Sequence, residues 1–359
     1  MRITPFLVSA RKAFESCGYE VQTVRLASQP WPEYLWGDKG RGFIRGVRLL
    51  EECCRRNNID FLSLGTACSP EHIRLASRIV SSTSIISTSA TIAFKKIGID
   101  QDATLAAAQA MGKIARAAES GAGNFRFAAL ANCPADIPFF PASYHRGRTC
   151  FMIALESGDL LFDALTQTGD LFSARQELAE ILQAEYRKVE RIALRLEQRH
   201  GVFFRGIDAS PAPSLLRRGS VALAIERIAK AHLGAPGTMA VAGMITDVLH
   251  SLKIKMCGFS GLMLPVMEDA GLAERIDDLS IHELLAYSAV CGTGLDCVPL
   301  PGDTGVKMIQ KLLLDVATMA LKLDKPLSAR LLPMPGRPAG SKTHISSPYL
   351  INCRIPRFV

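Results

Sequence analysis

The sequence predicts an α/β fold, a β/α barrel with its helices outside, with an open doubly wound sheet as the alternative. Three observations predict it. Short apolar runs rich in β-branched or aromatic residues alternate with longer runs of helical period. About nine such units follow one another with no Pro/Gly/Ser-rich linker between them, as strands closing on themselves would. Hydrophobic residues make up 48% of the 359 residues and charged residues 21%, enough for a large core; with aromatics at 7%, that core rests on Leu, Ile, Val and Ala.

The strands fall, in order, at 20–27 (EVQTVRLA), 60–67 (DFLSLGTA), 84–92 (SIISTSATI), 125–132 (FRFAALAN), 150–156 (CFMIALE), 202–208 (VFFRGID), 260–266 (SGLMLPV), 294–300 (GLDCVPL) and 328–334 (SARLLPM). Helices are predicted between them. One covers 104–120. The longest covers 173–201, where Leu178, Ile181, Leu182, Tyr186, Val189, Ile192, Ala193 and Leu196 form one apolar face, Ser173 is the N-cap and Gly201 the stop. Others cover 220–232, the run from Pro236-Gly237 through Val248 and Leu252, and 304–323. The polar, Pro-rich tail after Gly336 is expected to wrap the surface.

Forty-two basic residues against thirty-four acidic ones give a net charge of +8. The cations are spread out; Arg55-Arg56 and Arg217-Arg218 are short pairs, and no aromatic residues interleave them into a stacking platform. This argues for a mildly basic soluble protein and against nucleic acid as partner. None of the ten cysteines forms a CxxC pair or a zinc-ribbon spacing, so reduced thiols of a cytoplasmic protein are expected. Met1-Arg2 opens no signal-peptide core, and no segment approaches about 20 apolar residues, so no membrane span is expected. No glycine fingerprint of a Rossmann site and no Walker A run is present.

In a β/α barrel, chemistry sits where the C-terminal ends of the strands meet the following loops. Those ends carry Asn132, with His145 in the next loop, then Glu156, Asp208 with Ser210, Glu268 with Asp269, and Gly302, Asp303 and Thr304; Thr238 follows Pro236-Gly237. Carboxylates gathered in one cavity repel, so they call for a cation, a cationic substrate group or shared protons. Asp208 and Asp303 also read as helix caps, Glu268-Asp269 as a solvated loop, and His145 in YHRGR as a surface loop. Asp296 lies inside a strand, where an unpaired carboxylate is costly, and must face a partner or a wet cavity. Cys291 and Cys297 read as small core residues, with a chemical role for Cys291 as the alternative. Gly258, Gly261, Gly292, Gly294, Gly302 and Gly305 allow close backbone approach. The backbone N–H groups from Gly302 to Thr304, at a helix start, form either an anion cradle or a tight strand-to-helix turn.

The same residues carry a resemblance. GLDCVPLPGDT with VCGT before it, FAALANCPADIPFFPASYHRG (127–147), VFFRGIDASPAPS (202–214), GAPGTMAVAGMITDVL (234–249), GFSGLMLPVMEDAGL (258–272) and SARLLPMPGRPAGS (328–341) resemble, in order, blocks of the bacterial and archaeal family called domain of unknown function 711 (UPF 0210). The match covers about residues 125–341; the N-terminal third matches poorly. The resemblance implies a barrel of about ten strands similar to the pyruvate formate-lyase-like fold. That gives a single domain over 1–341, divergent over 1–124 and family-like over 125–341, with a tail over 342–359 packed on its surface. Radical chemistry is not implied, because the tail SSPYLINCRIPRFV lacks the glycyl-radical motif. The shared polar set it implies is Asn132, His145, Asp208, Ser210, Thr238, Ser260, Glu268, Asp269, Cys291, Asp296, Asp303 and Arg330. Asp136-Ile137-Pro138 departs from the family's Asp-Asn-Pro, as does Ser210-Pro211 from an apolar-tolerant stretch, so the substrate is expected to differ from that of typical members.

The expected function is an enzyme of lyase or hydrolase type acting on a small amino- or keto-acid. His145 would be the acid or base, with Asp208, Asp296 and Cys291 completing the catalytic set. Asn132, Ser210, Thr238, Ser260, Gly302, Asp303, Thr304 and Arg330 would bind substrate. Asp208, Glu268, Asp269 and Asp296 would hold a divalent metal ion or a cationic substrate group; a metal-free proton-abstraction site fits as well. A non-catalytic small-molecule sensor is the alternative. A nucleic-acid binder would betray itself by steep salt dependence. A homodimer is expected only as the base rate for such enzymes.

Overall fold

The β-branched runs pair into two sheets in a computed structural model that describes residues 3–35, 41–117 and 119–358. Met1-Arg2 and residue 118 of the helix predicted over 104–120 lie outside the described residues. The strands are β1 (Arg25–Ala27), β2 (Phe61–Ala67), β3 (Ile86–Phe94), β4 (Gly98–Ile99), β5 (Phe127–Ala131), β6 (Cys150–Glu156), β7 (Phe203–Ala212), β8 (Gly294–Pro301) and β9 (Leu327–Met334). One sheet runs β1-β2-β3-β5-β9-β8, with β4 hung on β3; β6 and β7 form the second. Neighbours are parallel except at the β3–β4 hairpin and at β5–β9, where Ala129 faces Ala329 in antiparallel register. The result is a mixed α/β architecture with a parallel-rich sheet. β8 and β9 are buried from end to end, which is why their sequences are nearly continuous apolar runs.

Two predictions are corrected here. The run 260–266 is not a strand. It touches β8 at one bridge, Pro265 to Asp296, with Val266 N–H donating to the Asp296 carbonyl at 3.0 Å. Ser260 is held at φ +45°, Pro265 has no N–H to give, and Gly261 lies so close to Gly292 that a Cβ on either would sit 2.7 Å from the other's Cα. The first strand shortens to Arg25–Ala27.

The helix Leu171–His200 starts earlier than predicted: Asp170, not Ser173, is its cap, accepting from the N–H groups of Phe172 and Ser173 at 2.9 and 3.0 Å. Gly201 ends it at φ +66°, as predicted. The Ala-rich helix Gln101–Ala117 packs on Pro70–Ser81 and on Val306–Lys322, its small side chains permitting close approach. The tail beyond residue 341 is more than a surface wrap: Ile345, Leu350, Cys353 and Ile355 join the main core. No helix is long and apolar enough to cross a membrane among the described residues.

Candidate functional site

The register of β8 against β9 slips between Leu295 and Val298, so that Asp296 and Cys297 share the bulge, Cys297 at φ +46°. The bulge aims Asp296 at Arg330 on β9, whose Nε donates to Asp296 Oδ1 at 2.7 Å. The other side of the guanidinium donates through Nη2 to Glu268, which the turn after Pro265 brings over the strands. The side chains of Arg330 and Asp296 are 7% and 8% exposed and that of Glu268 is 23% exposed, so Glu268 is the member a ligand can reach. Burial raises the Glu268 pKa; Arg330 pulls it back, and Asp296 adds to the rise. Burial likewise pushes the Cys297 thiol well above its ordinary value, so it stays protonated and hydrogen-bonded to Glu268. Arg330, despite burial, is held firmly charged by Asp296 and Glu268. Glu268, Asp296 and Cys297 offer ligand atoms within 4.8 Å of one another, and no other such set of three or more exists among the described residues. Arg330 already sits on both carboxylates, supplying the positive charge a metal ion would bring.

The other predicted residues fall into separate places. Asp208 is fully buried in β7 and holds the 257–261 turn: it accepts from Phe259 N–H at 2.7 Å, Ser260 N–H at 2.9 Å, Ser210 N–H at 3.1 Å and Ser210 Oγ at 2.7 Å. Burial raises its pKa and these donors work against the rise. Ser210 Oγ in turn accepts from Gly261 N–H, and Ser260 Oγ from Ala209 N–H, both at 3.1 Å. Gly258, at φ +69°, is required because a Cβ would collide with the Asp208 carboxylate.

Asp269 caps the helix Ala270–Arg275, accepting from Leu272 N–H at 2.9 Å. It also binds the start of the helix Val221–Ala229 through Ser220 Oγ at 2.5 Å and Val221 N–H at 2.7 Å. Asn132, at φ +57°, ties the end of β5 to Lys95 and Asp324. His145 donates its backbone N–H to the Ser28 carbonyl at 2.8 Å, and its Nε2 meets the Gly147 carbonyl. Thr238 Oγ1 bonds the Ala235 carbonyl and Tyr287. Cys291 is buried, and its carbonyl accepts from Lys325. Two of the three amides of the predicted anion cradle are committed: Gly302 N–H donates to the Arg337 carbonyl at 2.8 Å and Thr304 N–H to the Pro301 carbonyl at 3.0 Å, while Asp303 is exposed.

One cation beside this centre was not anticipated from the sequence. Arg25 opens β1, and its Nε donates to Thr23 Oγ1 at 2.8 Å. Its guanidinium lies 5.6 Å from the centroids of both Phe61 and Phe140. Burial lowers its pKa, Glu268 opposes that, and Arg330 adds to it, so the three groups share one electrostatic environment. Tyr349, from the tail, packs edge-on against Phe61 at 5.5 Å and parallel to Phe125 at 6.0 Å; Arg330 lies over Phe125 at 5.1 Å. The signal for Arg25 was present: it is a charged residue inside a predicted strand, as Asp296 is.

The comparisons with known proteins agree on one family. A family model described as Uncharacterised ACR (DUF711) matches residues 2–346. The match starts at residue 2, so the N-terminal third, expected to diverge, lies within it. A UPF0210 protein of Pyrobaculum arsenaticum is 29% identical, over 92% of this chain and 78% of its own length. One from Pyrobaculum islandicum is 30% identical, over 94% and 80%. One from Bifidobacterium longum is 28% identical, over 93% and 79%.

Proposed function

The chain belongs to the DUF711 family, and from that premise we propose that it is an enzyme acting on a small amino- or keto-acid-like metabolite at the Glu268–Arg330–Asp296 centre. One observation carries this reading: a carboxyl with a raised pKa, only partly exposed, is held in place by a buried arginine that a second carboxylate anchors. A carboxyl whose pKa is raised above its ordinary range holds a proton more readily, as a general acid or base benefits from doing. Glu268 takes the role first assigned to His145, and Asp296 positions Arg330. The reaction is proton transfer without metal, in a lyase- or hydrolase-type step. Asp208, Ser210, Ser260 and Asp269 act on shape, holding the turns from which Glu268 projects.

The fold that presents this site is read as a single ten-stranded barrel of the pyruvate formate-lyase-like kind. Its support is the continuation of each sheet beyond its strands. Residues 255–257 run along β7 through the Ile207–Met256 bridge, 265–266 run along β8, and Gln22 reaches Glu156 at 2.8 Å between the β1 and β6 sides.

The test uses proton NMR in deuterated buffer on a pool of small amino- and keto-acids. At least one acid is expected to exchange a proton for deuterium or be converted by the native chain, and neither change is expected with Glu268→Gln. Acids that bind and never change would favour the sensor reading. Stoichiometric divalent metal in the purified protein, lost in Asp296→Asn, would sink the metal-free mechanism.

A further inference from the structure

We propose that Arg25 is the anchor for the substrate's carboxylate and that the substrate is a small monocarboxylic acid with a flat, unsaturated or aromatic body. This rests on reading Glu268–Arg330–Asp296 as the reaction centre. Arg330 is unsuited to be the anchor, because Nε and Nη2 are already bound to two carboxylates. Arg25 differs. Thr23 fixes its Nε, Phe61 and Phe140 flank the guanidinium, and its terminal nitrogens donate to no group among the described residues. A guanidinium held at Nε presents its terminal nitrogens as a fork, the geometry that takes a carboxylate through two parallel hydrogen bonds. Glu268 and Asp60 act on Arg25 only through space, and desolvating a guanidinium with no carboxylate hydrogen-bonded to it is costly, a cost that a bound carboxylate would offset.

The aromatic residues define the rest of the ligand. Phe61, Tyr349 and Phe125 form a continuous half-buried run from Arg25 to Arg330. Ring faces favour a flat apolar body over a branched or strongly hydrated one. An acid with its carboxylate on Arg25 and its body along this run points its far carbons toward the Arg330 end, where Glu268 stands. The tail supplies Tyr349 and is tied beside Glu268 by the 2.7 Å bond from Ile351 N–H to the Met267 carbonyl.

Calorimetric titration of the full chain with benzoate, benzamide and acetate tests this. Benzoate is expected to bind at least about tenfold more tightly than benzamide, which lacks the charge, and than acetate, which lacks the ring. Arg25→Gln should weaken benzoate about tenfold or more and leave benzamide unchanged. Arg25→Lys keeps the charge without the fork, and should also lose benzoate affinity, which covers a failure of the first variant to fold. Equal binding of benzoate and benzamide, no benzoate binding at millimolar concentration, or full affinity in either Arg25 variant overturns the anchor. The reaction centre is read separately. Arg25-dependent benzoate binding in a chain that turns over no acid keeps the anchor and removes the reaction. Turnover abolished by Glu268→Gln, with benzoate binding indifferent to Arg25, does the reverse.

Discussion

Burying Glu268 beside Asp296 makes its ionisation costly, and Arg330 offsets only part of that cost. A carboxyl whose folded pKa lies above its unfolded value, about 4.3, stabilises the fold fully below that value. The contribution is lost as pH rises through the folded pKa. The amide of Glu268→Gln does not titrate, so wild type should lose stability relative to this variant as pH rises from about 4 through the raised folded pKa. Urea midpoints taken across that range read the difference, and parallel curves would mean that the Glu268 site is not perturbed. Sequence reasoning had the right premise for such groups: a charge inside a strand needs a reason. It applied the premise to Asp296 and found the centre's anchor, but passed over Arg25, where the same premise held. It also grouped Asp208 and Asp269 with Glu268 because all three follow strand-like runs. Whether a carboxylate faces a cavity or backbone amides depends on which turn folds over it, and the turns over Asp208 and Asp269 come from residues about fifty positions away.

Capping by the same residue type is worth different amounts on different elements. Asp170 caps the longest helix in solvent, where water can replace its bonds, so Asp170→Ala should lower stability only slightly. Asp269 holds the starts of two helices while fully buried. Asp269→Ala removes a cap and strands buried donors at about 1–3 kcal/mol each, so a loss of about 3–5 kcal/mol is expected. Equal losses in a denaturant series would show that the Asp269 donors find other partners. At this scale the sequence was legible where period and punctuation agreed: β2, β6, β8 and β9 start or end within a residue or two of prediction, and Gly201 ends its helix. It failed at 260–266, which has the apolar content of a strand but spends its backbone on close contact with Gly292 and on the Asp208 carboxylate. Helices Arg41–Arg56 and Pro70–Ser81 were not predicted, although Ser69 and Pro70 form an ordinary helix start.

For the whole chain, the question is what covers the open edges of two parallel-rich sheets. An uncovered edge presents unpaired amides and carbonyls and invites aggregation. On the β8 edge, Val266 N–H reaches the Asp296 carbonyl. Beyond β1, His145 N–H reaches the Ser28 carbonyl. The free side of β7 is occupied by residues 255–257, through bonds of 2.8 and 3.0 Å between Ile207 and Lys255 and Cys257. These links join the small β6–β7 sheet to the large one through the segment that also delivers Glu268. If the chain closes into one unit, β6 and β7 cannot open without loosening the turn that carries Glu268. Native-state hydrogen exchange should then give β6 and β7 amides the same opening free energy as those of β2 and β3, since all would exchange by global unfolding. The Glu268→Gln variant should shift both sets equally. Exchange from β6–β7 at a free energy several kcal/mol lower would make that pair a separate foldon, and Glu268 would then sit on a segment able to move independently of Arg25 and the large sheet.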